Sequence, residues 1–207
     1  MFYLVRSPWW LKKIYSRLVW SIPATERVLY LTFDDGPHPV ATPFVLEELK
    51  KYGAGATFFC IGKNVQEYPQ IYRRILMEGH RVGNHTQNHL NGWKTDDKKY
   101  LENIRDAARL IDSDLFRPPY GRIGTMQSAL LRREPFNYRI IMWEVLSADF
   151  DPALGGERCM RNVIRYAKPG SIVVFHDSEK AWERLRVALP GVLEYFSGRG
   201  YRFESIA

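Results

Sequence analysis

From residue 27 onward, short apolar runs alternate with amphipathic stretches of helical length, and few folds accommodate that alternation. The run RVLYLTF (27–33) reads as a buried strand ended by a turn. Thr42 and Pro43 offer a cap and a first-turn proline to a helix that Gly53 stops. ATFFCI (56–61) is the next strand, and Pro69 to Glu78 is the next helix, closed by Gly79. HRVGN (80–84) is a short third strand, followed by a long helix to about Ile111. Further strands are expected at 115–117, 138–143, 171–175 and 201–206. Strands separated by helices pair in parallel. Seven strands fall one short of a complete eight-stranded barrel, so the pattern alone allows an incomplete barrel or an open doubly wound sheet.

The chain has 207 residues, enough for one domain with a real core. We divide it into a basic amphipathic N-terminal segment, 1–26, and a domain of alternating strands and helices, 27–207. Residues 1–25 hold Arg6, Lys12, Lys13 and Arg17 and no acid, which is +4 of the net +7. On a helical wheel Trp10, Leu11, Ile14, Tyr15, Leu18 and Val19 share a face, whereas Trp9 and Trp20 fall on the polar side. The expectation is that this face packs on the domain. The alternative is peripheral contact with an anionic membrane through residues 1–25. No recognisable module accompanies the charge, so nucleic acid is not expected as a partner.

Cys60 and Cys159 are far apart and form no CxxC pair, which argues against a disulfide framework. No apolar stretch approaches the ~20 residues of a membrane-spanning helix. The N-terminus also lacks the unbroken apolar core of a signal peptide, so a cytoplasmic chain is expected.

The polar clusters all follow strands. Asp34 and Asp35 come after the first, His85 and His89 after the third, and Arg117 to Gly121 after the fourth. Asp149 lies just beyond the fifth, and His176 and Asp177 directly follow the sixth. In β/α barrels the carboxyl ends of the strands form the active face, so five segments converge on one rim.

In HTQNH (85–89), histidines at i and i+4 of a helical turn can share one metal ion. Two histidines and a carboxylate make a facial set that leaves positions open for water and substrate. Asp34 or Asp35 supplies the carboxylate, and in extended geometry neighbouring side chains diverge, so the other is free to address water. Spacing does not say which aspartate does which. In RPPYG (117–121), Arg117 is a fixed cationic fork suited to a carboxylate. Pro118 and Pro119 lack an N–H, so Tyr120 offers the first main-chain donor to an oxyanion. A stiff surface loop would carry the same residues. His176 at a strand end suits proton transfer, with Asp149 to orient it, although a histidine there is also common as a structural group. His38 and His80 are read as structural.

Taken together, TFDDGP, HTQNH, RPPYG, a Trp-containing segment ending in ADF, and VVFHD resemble the NodB-homology polysaccharide deacetylases, carbohydrate esterase family 4, over residues 27–206. The resemblance implies a distorted (β/α)7 barrel and a hydrolase removing N-acetyl groups from an amino sugar or its polymer. It implies that Asp35, His85 and His89 hold one divalent metal, commonly zinc, with cobalt, nickel, manganese or iron as alternatives. Asp34 would be the general base, held by Arg117. Tyr120 N–H would face the oxyanion, and His176, oriented by Asp149, would be the general acid. Pro119, Tyr120, Phe150 and Val174 would contact substrate. Leu146 stands where the family commonly has aspartate, Phe150 where it has tryptophan and Val174 where it has leucine. The last two would reshape an apolar acetyl-methyl pocket, and no replacement removes a ligand or a proton carrier. The competing readings are an O-acetyl glycan esterase on the same site, and a carbohydrate-binding or membrane-associated protein that retains metal without turnover.

Overall fold

The computed structural model describes residues 3–207. Eight parallel strands form one sheet: β1 (Val28–Asp34), β2 (Ala56–Cys60), β3 (Arg81–Asn84), β4 (Leu115–Phe116), β5 (Arg139–Ile140), β6 (Val145–Leu146), β7 (Ile172–His176) and β8 (Arg202–Phe203). The order is β5-β4-β3-β2-β1-β7-β6, and β8 pairs the start of β1. The two edge strands, β5 and β6, are almost consecutive in sequence. Five residue steps reach at most about 18 Å, so the sheet must curl until its edges approach each other. The result is the incomplete barrel expected from the motifs and not an open sheet. The strand expected at 138–143 shortens to β5 at this seam, and β6, just beyond it, was not expected.

Alternation along β1 sorts its side chains. Leu29, Leu31 and Phe33 belong to the cluster that packs against the outer helices, while Val28 and Tyr30 belong to the interior cluster. The outer cluster joins α2 (Ala41–Lys51), α7 (Gly156–Tyr166) and α8 (Trp182–Ser197) to the sheet, with Phe33 stacked between Phe58 and Phe175. Both faces are covered, which explains why these strands read as continuous apolar runs. The interior parity continues upward through Thr32 to Asp34, and the register sets Thr32 beside Val174 and Asp34 beside His176.

Two helix expectations need correction. α2 begins at Ala41, not at a Thr42 cap; His38 Nδ1 accepts from the Val40 and Ala41 amides at 3.3 and 3.1 Å. The long helix after the third strand does not start at His85. The helix there, α5 (Asp97–Ala108), is capped by Asp96, whose carboxylate accepts from the Lys98 and Lys99 amides. Three further helices are α3 (Gly62–Glu67), α4 (Pro69–Met77) and α6 (Thr125–Leu131).

The N-terminal segment also departs from its helical wheel. Its helix, α1, is only Trp9–Ile14, because Tyr15 leaves helical geometry (φ −105°, ψ 47°). Beyond it the chain extends: the Val19 amide donates to Ile140 O at 2.9 Å, and the Met142 amide to Val19 O at 2.7 Å. Leu18 and Trp20, two apart, are therefore buried, whereas Trp10 and Ile14 from the expected packing face are exposed. This stretch seals the seam between β5 and β7, where Ser21 bridges Ser171.

Candidate active site

Interior parity alone brings Asp34 to the mouth of the barrel; parity would turn Asp35 outward. The backbone prevents this, because Asp35 adopts φ +82°, a left-handed conformation that few residues besides glycine take readily. Both carboxylates therefore line one pocket of about 370 Å³. The turn is fixed by three bonds: Gly36 N–H to Asp177 Oδ1 (3.1 Å), Ile61 N–H to Gly36 O (2.9 Å) and Asn64 Nδ2 to Asp35 O (2.7 Å). A Cβ on Gly36 would sit 2.1 Å from Asp177 Oδ2, so the position admits only glycine.

HTQNH is a loop, not the helical turn expected. Its amides are taken by side chains: Thr86 by Asn84 Oδ1, and Gln87 and Asn88 by Asn103 Oδ1. Such local acceptors compete with helix formation. Thr86 and His89 lie at φ +67° and +55°, which swings His89 back over His85, ring centroids 5.1 Å apart. His85 Nε2 and His89 Nε2 are 3.6 and 3.1 Å from Asp35 Oδ1.

The three residues fit a divalent metal. Their ligand atoms all lie within 4.8 Å of one another. Asp35 Oδ1 is buried, and among the described residues no donor meets it with hydrogen-bond geometry. His85 Nδ1 is 2.8 Å from Arg117 O, which fixes the proton there and leaves the Nε2 lone pair facing Asp35. Burial pulls the His85 imidazole down to about 4, so it is neutral at physiological pH, as a ligand must be. Burial alone would raise the Asp35 carboxyl, but the His89 imidazole beside it and the charge of His176 hold it well below the usual carboxylate range. Three protein ligands leave coordination positions open.

Two buried pairs flank this cluster. Arg117 donates from Nη1 to Asp34 Oδ1 at 2.6 Å and to Thr32 Oγ1 at 2.7 Å, and from Nε and Nη2 to Ile141 O and Met142 O. Its guanidinium lies 4.1 Å from the Phe59 ring centroid. On the other side, Asp149 Oδ1 is 2.8 Å from His176 Nδ1, and Asp149 Oδ2 accepts from the His176 amide, also at 2.8 Å. Burial lowers the affinity of His176 for a proton, but Asp149 beside it, with Asp35 and Asp34, raises its pKa to about 9.

The remaining expected residues divide. Tyr120, Phe150 and Val174 line the pocket, and Arg117 and Asp149 are buried behind it. Tyr120 is held at φ +61°, and its amide has no hydrogen-bond partner among the described residues. Pro119 is buried and does not line the pocket.

A family model described as polysaccharide deacetylase matches residues 21–138, more than half of the chain. The chain belongs to the polysaccharide deacetylase family. It is thus a hydrolase acting on carbon–nitrogen bonds. A peptidoglycan-N-acetylglucosamine deacetylase of Bacillus cereus is 35% identical over 196 residues, which cover 92% of this chain and 91% of that protein. A chitooligosaccharide deacetylase of Azorhizobium caulinodans is 34% identical over 164 residues, 75% of this chain and 76% of its own length. The fold matches the crystal structure of a peptidoglycan N-acetylglucosamine deacetylase bound to an N-hydroxybenzamide. That match has a TM-score of 0.86 and 29% identity, covering 97% of this chain and 95% of the other.

The deacetylase pocket also contains residues that motif reasoning missed. Tyr3 lines it, donates to Asp151 at 2.6 Å, and packs edge-on to Phe150, which packs edge-on to His176. Burial and the Asp151 carboxylate push the Tyr3 hydroxyl up to about 12, so it remains a donor. Nothing in a segment set apart at residues 1–26 signals this role. Trp143, Arg122 and Lys180 line the pocket too. Lys180 follows the His176 strand end by four residues, and that position was the available clue.

Proposed function

We propose that this deacetylase removes N-acetyl groups from an amino-sugar polymer of the peptidoglycan or chitooligosaccharide type, using one divalent metal. The observation that carries the reading is the convergence of two separate proton-handling pairs on one three-ligand cluster. Asp34 is fixed in place by Arg117, which suits a general base. His176 carries a proton at neutral pH, which suits a general acid.

Asp35, His85 and His89 would hold the metal, and zinc fits their donor set. A metal bound there supplies Lewis acidity that polarises an acetyl carbonyl and makes water a nucleophile near pH 7. Asp34 then takes the water proton, with Arg117 fixing the carboxylate through one oxygen. Tyr120 N–H, without a partner among the described residues, is the donor available to the oxyanion. Asp149 holds the His176 Nδ1 proton, so Nε2 delivers the proton to the departing amine nitrogen. That delivery matters because an unprotonated amide nitrogen leaves poorly. Leu146, Val174, Trp143 and Phe150 give the acetyl methyl group an apolar wall.

The sequence similarity to the two named deacetylases, and the fold match to a peptidoglycan N-acetylglucosamine deacetylase, support the substrate class. The test is acetate release from peptidoglycan and from chitooligosaccharides with zinc, cobalt and manganese, using Asp34→Asn as control. Release that disappears in the variant supports the reading; no release from any pairing sinks it.

A further inference from the structure

We propose that residues 9–17 dock this protein on an anionic lipid bilayer. Surface helices of globular proteins normally turn their apolar arc inward. α1 does the reverse. At about 100° per residue, Trp9, Lys13, Trp10 and Ile14 occupy one continuous arc of the helix, and Leu11 and Lys12 take the other side. Leu11 packs on the cluster containing Leu18 and Trp20, and Lys12 Nζ pairs with the buried Glu144 at 2.9 Å. The helix is thereby anchored through one leucine and one ion pair. Its outward arc leaves Trp9 75%, Trp10 48% and Ile14 67% exposed. No residue of α1 is buried.

Charge identifies the occupant. The first 25 residues carry four cations and no carboxylate. Lys13 and Arg17 are exposed, and no described acid pairs with either. Two indoles and an isoleucine beside unpaired cations match the lipid interface, where tryptophan sits at headgroup depth and basic residues meet anionic lipid. Docking has a geometric consequence. Leu4, Pro8, Leu11 and Tyr15 wall a groove of about 360 Å³ that shares Tyr120, Arg122 and Trp143 with the catalytic pocket. The docking helix therefore borders a groove continuous with the catalytic pocket.

The experiment is co-sedimentation of the full chain with vesicles of phosphatidylcholine alone or of equal parts phosphatidylcholine and phosphatidylglycerol, at low and high salt. The wild type should sediment with the mixed vesicles at low salt and far less with the neutral ones. Each basic residue contributes about fivefold to partitioning, so Lys13→Glu with Arg17→Glu should weaken binding by well over tenfold. Trp9→Ser, Trp10→Ser and Ile14→Ser together should abolish it at both salt levels, with the circular-dichroism melting curve unchanged. Failure of the wild type to bind the mixed vesicles, or undiminished binding by the serine variant, overturns the proposal. So does a patch-dependent dimer in sedimentation velocity without vesicle binding, which would place a second copy on the patch.

Discussion

Arg117 and Asp34, 83 residues apart in sequence, form a 2.6 Å ion pair in the barrel interior, with neither side chain more than 5% exposed. The pair is sustained by its surroundings, since the guanidinium also meets Thr32 and two main-chain carbonyls. A buried ion pair adds little net stability, but removing one partner strands the other's charge. Arg117→Met should therefore cost about 3–5 kcal/mol in urea unfolding and eliminate acetate release. Arg117→Lys keeps the charge but lacks the planar fork, and should fall between the two.

The two neighbouring aspartates should separate by assay. Asp34→Asn keeps an acceptor for Arg117 and leaves the three ligands intact, so zinc content should match the wild type. Acetate release should fall by about 10²–10⁴-fold, the usual contribution of a general base. Asp35→Asn should instead lose zinc, measured by atomic absorption after dialysis. Equal zinc loss in both variants would contradict the division of roles.

His176 offers a pH test. Its folded pKa of about 9 lies above the ordinary 6.5, so the folded state binds this proton more tightly than the unfolded chain. The stabilisation it contributes is complete below about pH 6.5 and disappears as pH rises through about 9. NMR titration of the metal-free protein should find the imidazole protonated at pH 7. Asp149→Asn should bring the value down and move the alkaline limb of activity to lower pH. Zinc should lower it too, because the cation offsets the Asp35 charge that helps to raise it.

Gly36→Ala should lower the melting temperature and weaken zinc binding together, because the added methyl displaces Asp177 from the turn that aims Asp35. Overpacking of this kind costs about 1–3 kcal/mol. Combining it with Asp177→Ala should recover part of the melting temperature, read by calorimetry.

Tyr3→Ala removes a wall of the pocket beside Phe150 without touching a ligand or proton carrier. KM for the glycan should rise several-fold while kcat changes little. A fall in kcat at constant KM would place Tyr3 in the chemistry instead.

Much of the site was legible because strands announce themselves as apolar runs and their ends fall on one rim. Side-chain parity carried Asp34 and His176 inward without further information. The rest depended on backbone conformations that residue identity permits but does not reveal. Asp35 faces the pocket only through its positive φ, and His89 meets His85 through a loop where a helical turn was expected. Both routes bring the same atoms together, so the expected ligand set is assembled despite an incorrect local geometry. The role of Tyr3 was invisible because it rests on contacts with Phe150 and Asp151, almost 150 residues downstream.

The stitching of Val19 to Ile140 and Met142, and of Ser21 to Ser171, has a consequence for biosynthesis. The first twenty residues leave the ribosome long before their partners have been made. They must wait, with Leu18 and Trp20 uncovered, until the chain has been made as far as Ser171. The last seam of the barrel is thus closed by residues synthesised before any of its strands.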